Sequence, residues 1–448
     1  METLLIWTVV LLGVGVGVTL YTVRFRRQRE ASSRRLQQNR ELGMDRASGQ
    51  YPLVDAGACI GCGTCIDACP EGDVLGIVSG RVVVINGVRC IGHGKCAEAC
   101  PVGAIQVGLG DITKRDDIPL LDETNQTSVP GIWIAGELSG FALIHNAVDQ
   151  GRKAAAAVAA ALQGAGPAGS GSHDLIVVGA GPAGMSAALV AREMGVSCLV
   201  LDQQDPGGTI LQYPRRKLVM VQPVTIPGYG KLERLEYTKE ELLGIWQELH
   251  VDAGLDIRTG LRVTGITGED GAFSVETGEG TFACRKVILA LGRRGSPRRL
   301  NVPGEDLAKV AYRLIDAEAY KGRRVLVVGG GDSAVEAAMG LAHQPDCTVT
   351  LSYRKPELLR IKQRNAERIA PLIAEGRIRF LGGTTVSAIR SDVVALAGPE
   401  GPILVPNDDV FVLAGGIAPF GLLKGMGVKF GGDQRDRAIL DAAADRAG

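Results

Sequence analysis

The chain opens on an apolar run. From Thr3 to Val23 no position is charged. At about 1.5 Å per helical residue such a run spans roughly 30 Å, the thickness of a bilayer's hydrocarbon core. Trp7 and Tyr21 sit near its two ends, where amphipathic rings favour the membrane interface. The pattern then inverts. Arg24, Arg26, Arg27, Arg29, Arg34, Arg35 and Arg40 follow, and no Lys or Arg precedes the run. This predicts a single transmembrane helix over 1–23 and a basic juxtamembrane linker over 24–50. The N-terminus would lie outside, with the bulk of the chain on the cytoplasmic side of a cell inner membrane. A cleaved signal peptide is the rival reading. It lacks a basic n-region and a small-residue cleavage site, and the run is too long for it. Gly13 and Gly17 form a GxxxG pair, a pattern found on homodimer faces and also as ordinary membrane-helix filler.

Later in the chain, short apolar β-type runs alternate with glycine loops and small-residue helical stretches. Leu175 to Val178 leads into Gly179-x-Gly181-x-x-Gly184, with Pro182 and Ala183 inside the loop, then a helix and a second strand ending at Asp202. Glycines there let a backbone approach a pyrophosphate, the helix N-terminus stabilises its charge, and the acid meets ribose hydroxyls. A lone GxGxxG is a weak signal; strand, loop, helix, strand and acid in that order is a strong one. The pattern repeats from Arg324, with Gly329, Gly331, Asp332, Ser333 and Ala334 in the loop. Its second strand ends in Arg354 and Lys355 with no acid, which suits a 2′-phosphate and favours NADPH over NADH. A solvated strand end is the plainer reading of those two cations.

Composition narrows the classes. With 448 residues the chain has room for two to four domains. Lys+Arg and Asp+Glu are both 49, so no basic excess points to nucleic acid. At 46% hydrophobic, disorder of the whole chain is excluded, and 4% aromatic argues against base-stacking platforms. Of 10 cysteines, seven lie between Cys59 and Cys100, which favours a metal site over a disulfide framework.

Those cysteines read CIGCGTCIDACP from Cys59 and CIGHGKCAEACP from Cys90. The first is C-x2-C-x2-C-x3-C-P, and two such runs resemble a bacterial two-cluster ferredoxin. That resemblance implies one [4Fe–4S] cluster on Cys59, Cys62, Cys65 and Cys100, because the fourth Cys of each run serves the other cluster. The second cluster would use Cys90, Cys96 and Cys69. His93 stands where the second run should have its second Cys. Imidazole ligation, a [3Fe–4S] cluster with a vacant corner, loss of that cluster, and a plain surface histidine all stay open. A zinc site, with its more widely separated CxxC pairs, fits the spacing poorly.

Two dinucleotide loops in one chain resemble the two-dinucleotide flavoprotein reductases of the thioredoxin reductase-like type. The likeness is carried further by VILALG up to Gly292, NVPGEDLAKV from Asn301, GGGDSAVEAA and VFVLAGGIAP from Val410. TILQYPRRKLVMVQP from Thr209 is most like the bacillithiol disulfide reductase-like subgroup. The resemblance implies FAD on the first loop and backbone contact to adenine near Val263. It also implies a closing segment for the flavin, which here reads NQTSVPGIWIAGE from Asn125, with Gly136, Glu137 and a helix through Ala147. That segment precedes the first loop instead of following the second, so the expectation is a circular permutation joined through the flexible stretch Gly164 to Ser172. A degenerate duplicate is the alternative, although no second copy exists in the chain.

The expected architecture is therefore α/β, two Rossmann-like domains preceded by an α+β ferredoxin domain and one transmembrane helix. Its parts would be a ferredoxin domain over 51–108, a closing segment over 109–160, a linker over 161–173, an FAD domain over 174–305, an NAD(P)H domain over 306–405, and a return with C-terminal tail over 406–448. The expected function is a membrane-anchored NAD(P)H oxidoreductase exchanging electrons between NADPH, FAD, the clusters and a redox protein or small acceptor. Reverse flow from a ferredoxin to NADP or a small disulfide is the alternative, as is a non-enzymatic redox sensor or carrier subunit. No side chain is named as catalytic, because hydride and electron transfer belong to the cofactors. No redox CxxC remains outside the ferredoxin runs; Cys198, Cys284 and Cys347 stand alone.

Overall fold

The computed structural model describes residues 2–434 other than 48, 167 and 221, without the side chains of 2–5, 8–10, 21, 24–25, 28–29 and 220. Residues 435–448, the end of the return and tail expected over 406–448, lie outside the described residues. The chain divides into two compact units, Met1–Gly110 with Lys362–Arg364, and Asp111–Ile361 with Asn365–Gly448.

The first unit begins with one continuous helix, α1 (Glu2–Glu41). Residues 24–41, expected as a linker, extend that helix, because Arg, Gln, Glu and Ala are good helix formers and no Gly or Pro interrupts them. Ser32, Leu36 and Asn39 are its buried positions. Spaced four and three apart, they share one face, and Asn39 Nδ2 donates to the Ile85 carbonyl at 2.7 Å. The apolar half behaves oppositely: Ile6, Trp7, Leu11, Leu12, Val14, Val16, Val18, Leu20 and Val23 are all exposed. Among the described residues no helix is long and apolar enough to cross a membrane, so the expected transmembrane helix is not found there. Undescribed side chains interrupt the apolar run.

Among the described residues, the rest of that unit is two short antiparallel pairs, two single-turn helices and one 3-10 turn at Gly87–Arg89. Strand β1 (Tyr51–Val54) leads to α2 (Thr64–Asp67), and the hairpin β2 (Leu75–Val78) and β3 (Arg81–Val84) follows. Ser79 and Gly80 at its tip both have positive φ, 51° and 77°, as a two-residue hairpin turn requires. Helix α3 (Lys95–Glu98) precedes β4 (Ile105–Gly108), which pairs with β1. Cys59, Cys65 and Cys96 belong to the core, with Val74, Leu75, Ile77, Val82 and Ile105.

In the second unit, β5 (Ile132–Ile134) and α4 (Ile144–Ala161) come before β6 (Ser172–Val178), α5 (Pro182–Glu193) and β7 (Cys198–Leu201). Then follow β8 (Asp256–Arg258), β9 (Val263–Glu269), β10 (Ala272–Thr277) and β11 (Gly280–Leu289). They form a seven-stranded sheet in the order β8-β7-β6-β11-β10-β9, with β5 beside the end of β11. Strands β8, β7, β6 and β11 are parallel. Their continuous apolar runs suit burial on both faces, and Leu175, Ile176 and Val177 are fully buried. Strand β5 pairs in parallel with β11, Ile132 opposite Val287 and Ile134 opposite Leu289. Residues that precede the first glycine loop in sequence thus lie inside that loop's own sheet. Nearby, Leu120 N–H donates to the Lys429 carbonyl at 2.8 Å and Gly431 N–H to that of Ile118 at 2.9 Å.

The second dinucleotide pattern forms a parallel five-stranded sheet from β12 (Val310–Ala311), β13 (Arg324–Val328), β14 (Thr348–Tyr353), β15 (Ile378–Gly382) and β16 (Asp409–Val412), in the order β12-β16-β13-β14-β15. Helix α6 (Asp332–Ala342) starts at the end of β13.

Candidate functional site

The cysteine runs bring their thiols near one another. Burial pushes the Cys65 thiol up to about 11, and Cys96, Cys62 and Cys100 lie close enough to raise it further. Burial also pushes Cys90 up to about 11, with Cys69 and Cys96 as its thiol neighbours. Cys69, Cys90, Cys96 and His93 line one cavity. Burial holds His93 below the usual imidazole range, favouring its neutral form. Cys62 is exposed, whereas Cys59 is buried. Crowded, buried thiols resist ionisation on their own; a bound cation is what makes thiolates of them. Among the described residues no three His, Cys, Asp or Glu converge on a point that one metal ion could occupy. Cysteines in runs of this spacing suit iron–sulfur clusters better than a single zinc ion.

The first glycine loop is built for close approach. A Cβ on Gly179 would lie 2.5 Å from the Ala290 carbonyl, and one on Gly184 only 1.8 Å from that of Gly179. Gly181 caps α5 without any side-chain hydrogen bond, and Pro182 opens the helix, so first-turn N–H groups remain for an anion. Asp202 also stabilises the loop itself: its Oδ2 accepts from Ala180 N–H at 2.6 Å and its Oδ1 from Gln204 N–H at 2.8 Å. Burial raises its carboxyl above the usual range, opposed by those bonds.

Gly136 sits at this loop. With φ at +85°, its Cβ would meet that of Ala183 at 3.1 Å and that of Ala147 at 3.9 Å. Ala147 lies in the first turn of α4, whose N-cap Leu143 gives no side-chain bond. Glu137 is exposed. Gln150 carries no motif signal, yet its Oε1 accepts from Gly136 N–H at 2.8 Å and from Ser139 Oγ at 3.0 Å. His145 Nδ1 is buried without a partner at the same helix end. Gly292, φ +64°, faces open space just beyond β11. Val263 is buried at the start of β9 and paired with Thr277, while its neighbour Leu261 donates N–H to the Asp202 carbonyl. The cradle of missing Cβ atoms and unpaired helix-end donors fits a dinucleotide reaching from Gly179 to Gly136.

The second loop repeats the design. A Cβ on Gly329 would lie 2.4 Å from the Leu413 carbonyl, and one on Gly330 would strike the Tyr353 ring at 2.3 Å. Gly331 caps α6 without a side-chain bond, placing Asp332, Ser333 and Ala334 in its first turn. Asp332 accepts from Asn365 Nδ2 at 2.7 Å, a contact with no sequence signature. Arg354 is exposed and Lys355 half-buried at the end of β14, on the side where a 2′-phosphate would lie.

A model of the pyridine nucleotide-disulphide oxidoreductase family matches residues 176–444, more than half of the chain. The chain belongs to that family. A 4Fe-4S dicluster domain model matches residues 51–101. A ferredoxin–NADP reductase of Ignicoccus hospitalis is 30% identical over 269 residues, covering 58% of this chain and 83% of that protein. A bacilliredoxin reductase of Bacillus subtilis is 28% identical over 54% of this chain and 76% of its own length. The solved bacillithiol disulfide reductase of Bacillus cereus aligns with a TM-score of 0.51 at 26% identity, over 58% of this chain and 82% of that one.

This family member is an FAD-dependent NAD(P)H oxidoreductase with an iron–sulfur domain. Its cysteines outside that domain do not form a dithiol. Cys198 and Cys284 are pushed by burial to about 12, and Cys347 is raised by burial as well. All three are free thiols. Such groups are poor nucleophiles for disulfide exchange.

Proposed function

We propose that this protein is a membrane-anchored NADPH:acceptor oxidoreductase whose flavin and iron–sulfur clusters pass electrons to a carrier partner. NADPH delivers two electrons as hydride, clusters take one at a time, and FAD can do both. The observation that carries this reading is the joining, on one chain, of two dinucleotide cradles and a 4Fe-4S dicluster domain with its two cysteine runs, with no dithiol beside either cradle. Gly179, Gly181 and Gly184 with Gly136 and the end of α4 would hold FAD. Gly329, Gly331 and the first turn of α6, with Arg354 and Lys355, would hold NADPH. Cys59, Cys62, Cys65 and Cys100 would carry one cluster, and Cys69, Cys90 and Cys96, with His93 beside them, the second. The exposed apolar side chains from Ile6 to Val23 support the anchor, as does the arginine-rich half of the same helix, which orients the N-terminus outward.

The order of parts we read as a circular permutation. The pairing of β5 with β11 and the bonds between 118–120 and 429–431 support it. The relatives named ferredoxin–NADP reductase favour a second direction, from a reduced ferredoxin-type donor to NADP. Anaerobic mixing of the holoprotein with NADPH separates these readings. Flavin bleaching followed by reduced-cluster EPR signals supports outward flow. Clusters that stay oxidised under NADPH, but reduce with dithionite and then yield NADPH from NADP, support the reverse.

A further inference from the structure

The two cysteine runs are copies of one backbone. Gly61 and Gly92 have φ of 68° and 73°, and Gly63 and Gly94 both 88°. Ile66 donates to the Gly63 carbonyl and Ala97 to that of Gly94, each at 2.8 Å. Ala68 to Thr64 and Ala99 to Lys95 are both 3.0 Å. Residues 62 and 93 therefore hold equivalent places, and each side chain contacts the residue two positions on. Cys62 Sγ lies 3.3 Å from Thr64 Oγ1. His93 Nδ1 accepts the Lys95 backbone amide at 3.0 Å. The imidazole thus occupies, in the second run, the place that the Cys62 thiol has in the first.

That contact decides the tautomer. An atom that accepts an N–H presents its lone pair, so the neutral ring carries its proton on Nε2. Nδ1 is the atom able to bind a metal, and the ring lines the cavity of Cys69, Cys90 and Cys96. A thiolate has lone pairs for both an amide and iron, whereas this nitrogen has one. We propose that His93 is the fourth ligand of the second cluster, through Nδ1, and that binding iron displaces the Lys95 amide. This deepens the two-cluster reading proposed above and rests on it. A neutral ligand in place of a thiolate leaves the cluster one unit less negative, which raises its reduction potential.

The test labels the full-length holoprotein with histidine carrying ¹⁵N at Nδ1 alone, and in a parallel sample at Nε2 alone. Both are reduced and studied by pulsed EPR. The expected result is a strong, directly bound ¹⁵N coupling from the Nδ1 label, lost in His93→Cys, whose second cluster has a lower potential. Both proteins should carry about eight iron atoms, the content of two four-iron clusters. A strong coupling from the Nε2 label overturns the assigned atom. About eight irons with no bound nitrogen, or a three-iron signal in the oxidised protein, overturns His93 as a ligand. About four irons, the content of one such cluster, overturns this assignment and the two-cluster reading together. The labelled natural sequence decides the matter even where His93→Cys fails to fold.

Discussion

Asp117 carries more than its position suggests. Arg115 Nε lies 2.8 Å from its Oδ1 and Arg293 Nη2 2.5 Å from its Oδ2, so it joins the turn ahead of β5 to the loop after β11. Burial alone would raise its carboxyl, but hydrogen bonds from Arg115 and Arg293 prevail and hold it below the usual range. A depressed acid contributes stability that is complete above its unfolded value, near 3.8, and lost as pH falls through the lower folded value. Asp117→Asn should cost about 1.5 kcal/mol at neutral pH, the low end for charged hydrogen bonds because the carboxylate is one-third exposed. Melting temperatures of the two proteins, followed downward from pH 6, should converge below about pH 3.8 as the natural carboxylate protonates. A constant gap across that range would show that the charge contributes nothing.

At the scale of elements, the packing of α4 on α5 brings Gly136 and Ala147 to the first glycine loop, where the proposed flavin site would be completed. Gly151 lies inside α4, where alanine is ordinarily favoured over glycine by about 1 kcal/mol. Here the sign reverses, because a Cβ would stand 2.1 Å from the Ala183 carbonyl and 3.1 Å from the Ala187 nitrogen. Both are backbone atoms and cannot turn aside. Gly151→Ala should push α4 off α5, shift Gly136 and Ala147 from the loop, and destabilise the protein by about 1–3 kcal/mol, as overpacking does. Flavin per chain after gel filtration should fall severalfold while iron content is kept. Full flavin retention with an unchanged melting curve would mean that α4 does not close the site.

For the whole molecule, the apolar half of α1 and its docked half make one rod. Ser32, Leu36 and Asn39 fix it to the ferredoxin-like unit, so that unit would ride at a set height if the first half enters a bilayer. Full-length protein should sediment with membranes, resist high salt and carbonate, and require detergent for release. Release by salt alone would reduce the arginines to a surface contact and remove the anchor. A reporter fused to the C-terminus should be active only on the cytoplasmic side.

The cysteine runs and the glycine loops were legible along the chain because each is encoded within a dozen residues. A cysteine run wraps its space through its own short turns, and a GxGxxG loop joins a strand to the helix directly after it. Helix α1 was half legible: the apolar run was plain, but the continuation through 24–41 depended on a face whose partner, β2 with Ile85, lies far along the chain. The closing segment could be named from its residues, yet only folding set β5 against β11 and Gly136 against Ala183. Asp202 shows the same limit, since its position was readable and its bonds to Ala180 and Gln204 were not. So was His93, whose ring nitrogen could be aimed only once the Lys95 amide was in place. Short-range chemistry is written in spacing, whereas contacts between distant residues exist only when burial and backbone hydrogen bonding bring them together.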